Sequence, residues 1–180
     1  MMNTDIQFST FMELVKQRYS CRSYADKPVE REKIAAILDA ARLAPSACNK
    51  QPWLFIVADE EPVRTGIIES YPREWARTAP AFIVVCGDHN ESWHRPEDGK
   101  DHMDVDCSIA AEHICLAAAA AGLGTCWICN FDPAKLRETI SVPEHIEPVV
   151  VLAIGYPFAQ SVAPEKKRKH LDEIVRWGSY

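Results

Sequence analysis

The sequence predicts a single domain of mixed strands and helices that is not a Rossmann-type dinucleotide fold, and three observations carry that expectation. Four runs rich in β-branched and aromatic residues, WLFIVA (53–58), AFIVVC (81–86), TCWICNF (125–131) and PVVVLAIG (148–155), have the length and composition of strands. Segments with helical apolar periodicity separate them in irregular order, without a βαβ rhythm and without a GxGxxG after a strand. The 180 residues, 47% hydrophobic and 26% charged, suffice for one substantial core, and no repeat or low-complexity linker divides them.

Along the chain, residues 8–19 set Phe8, Phe11, Leu14 and Val15 at helical spacing, with Ser9 or Thr10 as the capping hydroxyl. After Pro28, a second helix over 30–43 gathers Ile34, Ala35, Ile37, Leu38 and Ala41 into one apolar face. It must stop at Pro45, which would remove a hydrogen bond from a helix interior and clash with the preceding turn. The loop that follows, APSACNKQPW (44–53), mounts Ser46, Asn49, Lys50 and Gln51 on a backbone stiffened by two prolines. Such a loop is either a platform aimed at a ligand or an ordinary polar connector.

The runs 53–58 and 81–86 are expected to be strands buried on both sides, with a short helix over 62–70 between them. Residues 88–100, DHNESWHRPEDGK, are charged and aperiodic and predict a mobile surface loop. The longest helix is expected over 101–121, with Val105, Ile109, His113, Leu116 and Ala120 on one face and a run of alanines that lets another helix or a cofactor approach. Gly122 and Gly124 are expected to end it. Asp132 then caps a helix over 133–140, and 148–155 supplies a last buried strand.

The net charge of −6 disfavours non-specific nucleic-acid binding and points to a small-molecule partner. The start, MMNTDIQFST, lacks a basic-then-apolar leader, and the longest apolar run, 114–121, is far short of a membrane span, so a cytoplasmic protein without membrane association is expected. Seven scattered cysteines fit reduced thiols. Cys126 and Cys129 form a CxxC, but no second pair at ligand spacing accompanies them, and they lie on an expected strand rather than at a helix start; neither zinc nor a thioredoxin-like couple is expected.

Two basic clusters stand out. In RYSCRSY (18–24), Arg18, Ser20 and Arg22 alternate along an extended segment and project to one side, where they could clasp a phosphate; a solvated turn is the competing reading. EKKRK (165–169) is the other, and on composition alone it reads as a solvated segment.

Taken in order, RYSCRSY, AARLAPSACNKQPW (40–53), RPEDGKDHMDVDCSIAAEHICLAAAAAGLGTCW (95–127), NFD (130–132), GYP (155–157) and KKRKHLDEIV (166–175) resemble the nitroreductase family of flavin-dependent oxidoreductases, over residues 18–177. The resemblance implies an α+β fold in which helices cover a mostly antiparallel sheet, and an intertwined homodimer with one FMN per subunit at the interface. It implies that Arg18, Tyr19, Ser20 and Arg22 form a first phosphate-binding segment and that Lys166 and Arg168 are its C-terminal basic partners; four cations suit a phosphate dianion in an acidic chain. Pro45, Ser46, Ala47 and Asn49 match a loop offered to the flavin from the partner subunit, where an amide that donates and accepts suits the pyrimidine edge. Gln51 is expected to hold that loop. Thr125, Cys126, Trp127, Ile128, Cys129 and Asn130 match a strand that passes one ring face, with backbone N–H groups near the reactive nitrogen. Asp106 and the alanines beyond it are expected to be structural and dimer-forming.

Three positions depart from the family pattern. Tyr19 stands where arginine is frequent, and Cys48 and Cys129 stand where glycine is frequent. The implied activity is a ping-pong reaction in which NADH or NADPH gives up a hydride and is replaced by a small-molecule electron acceptor such as a nitroaromatic, quinone or activated alkene. The scheme requires no side-chain acid or base, so no catalytic residue and no metal ligand is named. Flavin-dependent dehalogenation, flavin modification and flavin binding without turnover are the alternatives on the same scaffold. His94, His102 and Trp93, in or beside the charged loop, either touch substrate or belong to the surface.

Overall fold

A computed structural model describes residues 4–180. Helix α1 (Thr4–Gln17) leads to α2 (Arg31–Ala41), one 3-10 turn (Ala47–Asn49) and strand β1 (Trp53–Ala58). Helix α3 (Val63–Ser70), β2 (Ala81–Asp88), α4 (Met103–Ala120), β3 (Gly124–Ile128), α5 (Pro133–Ile140) and β4 (Ile146–Gly155) follow, and one helical turn, α6 (Leu171–Ile174), lies near the C-terminus. The sheet has the order β1-β2-β4-β3 with every neighbouring pair antiparallel. The fold is therefore α+β, as the resemblance implies.

The apolar continuity of β2 and β4 follows from their central place, since both faces of each are covered. On one face Ile83, Val85, Val150, Leu152 and Ile154 pack with α2 and α4. On the other, Phe82, Val84, Cys86, Val151 and Ala153 pack with Ile67, Ile68 and Leu136 of α3 and α5. Asp132 accepts hydrogen bonds from the Ala134 and Lys135 N–H groups and caps α5 at the expected residue.

Several expectations are corrected. The first strand, β1, is an edge strand, so Leu54 is 45% exposed and the run is not buried on both sides. Helix α1 starts before residue 8, and the Ser9 and Thr10 hydroxyls donate back to the Ile6 carbonyl at 3.0 and 2.8 Å instead of capping it. Its Ile6, Phe8 and Phe11 are exposed.

In α4 the buried face is Met103, Cys107, Ala110, Ala111, Ile114 and Ala118; Val105 is 44% exposed, and Ile109, His113 and Leu116 are only half-buried. The expected apolar stripe is thus the face turned away from the core. Gly122, at φ +74°, does terminate the helix in the left-handed region, but Gly124 belongs to β3.

The segment 88–102 is tied down. The Arg95 N–H donates to the Lys100 carbonyl and the His102 N–H to the Trp93 carbonyl, and the Trp93 and His102 rings pack at 5.0 Å. His89 lies between two carboxylates, Asp101 at 2.7 Å from Nδ1 and Glu147 at 2.8 Å from Nε2, and so clasps the start of α4 to the start of β4.

Hydrogen bonds to Asp101 and Glu147 raise the His89 pKa above its ordinary 6.5. Burial opposes ionisation of Asp101, but hydrogen bonds from Ser92, His89 and the Met103 N–H outweigh it and hold the carboxyl at about 2. The raised imidazole stabilises fully below its unfolded value and loses that effect as pH climbs through the folded one; the depressed carboxyl loses its effect as pH falls towards 2. The clasp is therefore strongest between about pH 4 and 6.5. In urea melts, the stability gap between the wild type and His89→Ala is expected to narrow from pH 6 to pH 9; a gap that widens over that range contradicts the assignment.

Candidate functional site

The site begins where the segment after α1 lies parallel to the outer edge of β3. Ser20 pairs with Thr125, and the Cys21 N–H donates to the Thr125 carbonyl at 2.9 Å. This approach requires glycine at 124, because a Cβ there would stand 2.6 Å from the Cys21 Cβ and 2.8 Å from its Sγ. Arg18 is thereby set at a cavity of about 180 Å³ between Ala119, Gly122 and Thr125.

The Arg18 Nε is buried and has no hydrogen-bond partner among the described residues; its closest carboxylate oxygen, on Glu112, is 3.9 Å away. Lys166 reaches the same place, donating to the Val15 carbonyl at 2.6 Å. Burial, with repulsion from Arg18 and Arg168, lowers the Lys166 pKa from its ordinary value. Three cations from opposite ends of the chain thus converge. Tyr19 is half-buried beside them, and burial raises its phenol pKa.

Arg22 sets its guanidinium 6.0 Å from the Trp75 ring centre.

Alternation along β3 buries Cys126 and Ile128 in the core on the α5 side and turns Trp127 to the other face; Cys129, just beyond the strand, is exposed. The Trp127 indole N–H donates to the Cys129 Sγ at 3.0 Å. Beside them opens a cleft of about 430 Å³ whose walls include Asp104, Ser108, Phe131 and Glu147. Asn130 follows and is exposed.

The loop at 44–53 is built by its own polar groups. Ser46 Oγ accepts from the Gln51 N–H at 2.9 Å, and the Gln51 side-chain amide donates to the Asn49 carbonyl at 3.1 Å. Cys48, Asn49 and Gln51 all take positive φ, at 49°, 55° and 52°. Asparagine tolerates this region, whereas a cysteine there costs about 1 kcal/mol. The loop is anchored by Asp106, 1% exposed, whose Oδ1 accepts from the Ala47 N–H at 2.9 Å while Oδ2 finds no partner among the described residues.

At 100° per residue, Asp106 lies about 160° around α4 from Ser108. Between those flanks runs the outward stripe of Val105, Ile109 and Leu116, which borders an open groove of about 600 Å³. Within one chain the 44–53 loop and the Trp127 cleft therefore occupy opposite sides of the helix. Asp106, expected to be structural, is so as the anchor of this loop, while the wall positions of Asp104 and Glu147 were missed from sequence. An acid at a buried helical phase between Met103 and Ala110 was the signal for the first; nothing local signals the others.

The nitroreductase family model matches this chain over residues 15–71 and 64–156. The chain belongs to the nitroreductase family. Among solved structures, a nitroreductase-family protein of Clostridium difficile 630 is 39% identical with a TM-score of 0.85, covering 93% of this chain and 98% of that one. A curated relative from Methanothermobacter thermautotrophicus, provisionally named as an NADH dehydrogenase/NAD(P)H nitroreductase, is 38% identical over 81% of this chain and 76% of its own length. The FMN reductase [NAD(P)H] of Bacillus subtilis is 31% identical over 79% of this chain and 64% of its own length. Lys166 and Arg168 lie beyond the span of the nitroreductase match, so it is the geometry that joins them to Arg18.

Asp106→Ala strands the Ala47 N–H and is expected to cost about 1–3 kcal/mol. It should also speed amide exchange in the 44–53 loop, while Asp106→Asn, which keeps an acceptor, should do less of both. Thermal melts with hydrogen-exchange mass spectrometry check this.

Proposed function

We propose that the chain is an FMN-dependent oxidoreductase that takes a hydride from NADH or NADPH and delivers the electron pair to a nitroaromatic, quinone or related acceptor, working as a homodimer. The observation that carries this reading is the convergence of Arg18, Lys166 and Arg168 around a buried, unpartnered guanidinium N–H among the described residues. Burial and repulsion from Arg18 and Arg168 lower the Lys166 pKa even with Glu112 3.9 Å from Arg18, so the group keeps an excess of positive charge that suits a phosphate dianion.

The residues present fit FMN. Arg18, Ser20, Lys166 and Arg168 would hold its phosphate, and Cys126, Trp127, Ile128, Cys129 and Asn130 would border its ring. Arg22 belongs to the same N-terminal segment and sets its guanidinium 6.0 Å from the Trp75 ring centre. The chemistry that FMN supplies when bound is acceptance of a hydride and release of the electron pair in a second half-reaction. The chain's part is to bind, orient and exclude water. As an edge strand, β3 keeps outward backbone donors available beyond the Ser20 pairing.

The dimer rests on uncovered apolar surface. Besides the stripe on α4, Leu171, Ile174 and Trp177 of the C-terminal segment are 65%, 62% and 94% exposed, apolar surface that a second copy would cover. A second copy covering α4 would bring Pro45, Ser46, Ala47 and Asn49 to the flank that the loop cannot reach within its own chain. The names carried by the B. subtilis and M. thermautotrophicus relatives support the use of flavin and nicotinamide nucleotides.

Replacing Arg18 and Arg168 together with alanine removes two charge-assisted contacts and is expected to weaken FMN binding about a hundredfold, seen as colourless purified protein. Full FMN retention overturns the phosphate seat. In stopped-flow mixing, NADH or NADPH is expected to bleach the flavin absorbance of the loaded protein; no bleaching with either excludes the reductase reading.

A further inference from the structure

We propose that Glu112 is a counter-charge built into the phosphate seat: its carboxylate weakens the hold of Arg18, Lys166 and Arg168 on a phosphate dianion and so keeps the flavin exchangeable. The proposal rests on the FMN reading of that seat.

Glu112 is carried on α4, one turn beyond Ser108, and its Oε1 stands 3.9 Å from the Arg18 Nε. That separation decides what the carboxylate does. A carboxylate that serves as a full arginine partner closes to hydrogen-bond distance, as Asp59 and Glu60 do on Arg31 at 2.7 Å. Glu112 stops short of it, and the buried Arg18 Nε has no hydrogen-bond partner among the described residues. The pair is thus a contact of charges, and the donor itself stays free for an incoming anion.

The influence of Glu112 extends to a second cation. Burial and the repulsion of Arg18 and Arg168 lower the Lys166 pKa, and Glu112 acts against them. One carboxylate therefore offsets part of the charge of a seat drawn from both ends of the chain. A dianion held by these cations gains from each of them and loses to Glu112, because the Coulomb energy counts every pair. The loss is specific to the phosphate, since a flavin without one carries no charge for the carboxylate to repel. Glu112 also borders the open groove on α4 with Val105, Ile109 and Leu116. A second copy seated there would withdraw the carboxylate further from water and increase its effect.

The test compares the full chain with Glu112→Gln, which keeps the shape and removes the charge, and with Glu112→Ala; either variant suffices if the other fails to fold. Glu144→Gln is the control for net charge. Glu144 is exposed and precedes the start of β4, whereas the seat lies by Gly124, paired with Gly155 at the other end of that strand. The 10 residues of β4 put about 30 Å between them.

FMN and riboflavin affinities are measured by flavin fluorescence on dilution, together with the rate of release. With Arg18 26% and Glu112 46% exposed, water screens the interaction, so the effect is modest. At about two- to threefold for each charge of the dianion, both Glu112 variants are expected to bind FMN about four- to tenfold more tightly, mostly through slower release. Riboflavin affinity should not change, and Glu144→Gln should match the wild type. The gain should shrink between about 0.05 M and about 0.5 M salt as the screening length shortens. Weaker FMN binding, an equal gain for riboflavin, or a gain undiminished by salt overturns the proposal, because a carboxylate that merely holds Arg18 in place can only weaken binding when it is removed.

Inorganic phosphate is titrated into the same proteins without flavin, and the rise in Tm is followed. Less phosphate should be needed for a given rise in the Glu112 variants. FMN bound equally by the wild type and both variants refutes the counter-charge and leaves the flavin reading standing. Tighter phosphate binding in variants of a chain that takes up no FMN refutes the flavin reading and leaves the counter-charge standing.

Discussion

The packing of α4 on the sheet is the contact from which the rest of the molecule takes its geometry. Alanine and cysteine dominate its buried face, so the helix lies close to β2, β3 and β4. Each functional feature is then fixed to a different side of it. Asp106 holds the 44–53 loop on one flank; Glu112 faces Arg18, and Asp104 and Ser108 face the end of β3 on the other. A helix that stood off by the length of a leucine would move all of these together. Core packing of this kind is felt at the level of single methylenes, which is why a helix of small residues also sets the site.

Electrostatics at the two ends of β3 work in opposite senses. At the head of β3 the chain gathers positive charge against its own net balance, and it buries one guanidinium nitrogen without a partner among the described residues. At the other end of the same strand it gathers carboxylates and aromatic rings. The polarity therefore runs along β3, from a basic end to an acidic and aromatic one. A charge total for the whole chain describes neither end.

Much of the fold was legible because its elements carry strong local signals. The runs 81–86 and 148–155 are apolar on alternate and intervening residues alike, and only a strand covered on both faces requires that. Asp132 followed by Pro133 fixes the start of α5 to the residue. The errors have a common physical source. Residues 53–58 resemble a central strand in composition, yet β1 lies at the sheet edge, and strand order is a non-local property. Val105, Ile109 and Leu116 read as a core face, but the chain buries the smaller side chains beside them and leaves this stripe open.

The site was legible in parts. Basic residues at 18 and at 166–168 were visible, but their meeting depends on the parallel pairing of Ser20 with Thr125, which no local pattern announces. The acidic wall at Asp104 and Glu147 could not be seen at all, because it joins residues 43 positions apart across a helix and a strand.

The opposite placement of the 44–53 loop and the Trp127 cleft around α4 has a consequence for stoichiometry. A molecule that touches both has to count chains. Its binding would be second order in protein, so dilution alone would release it at a fixed ligand concentration, and the apparent affinity would be a property of the solution as much as of the fold.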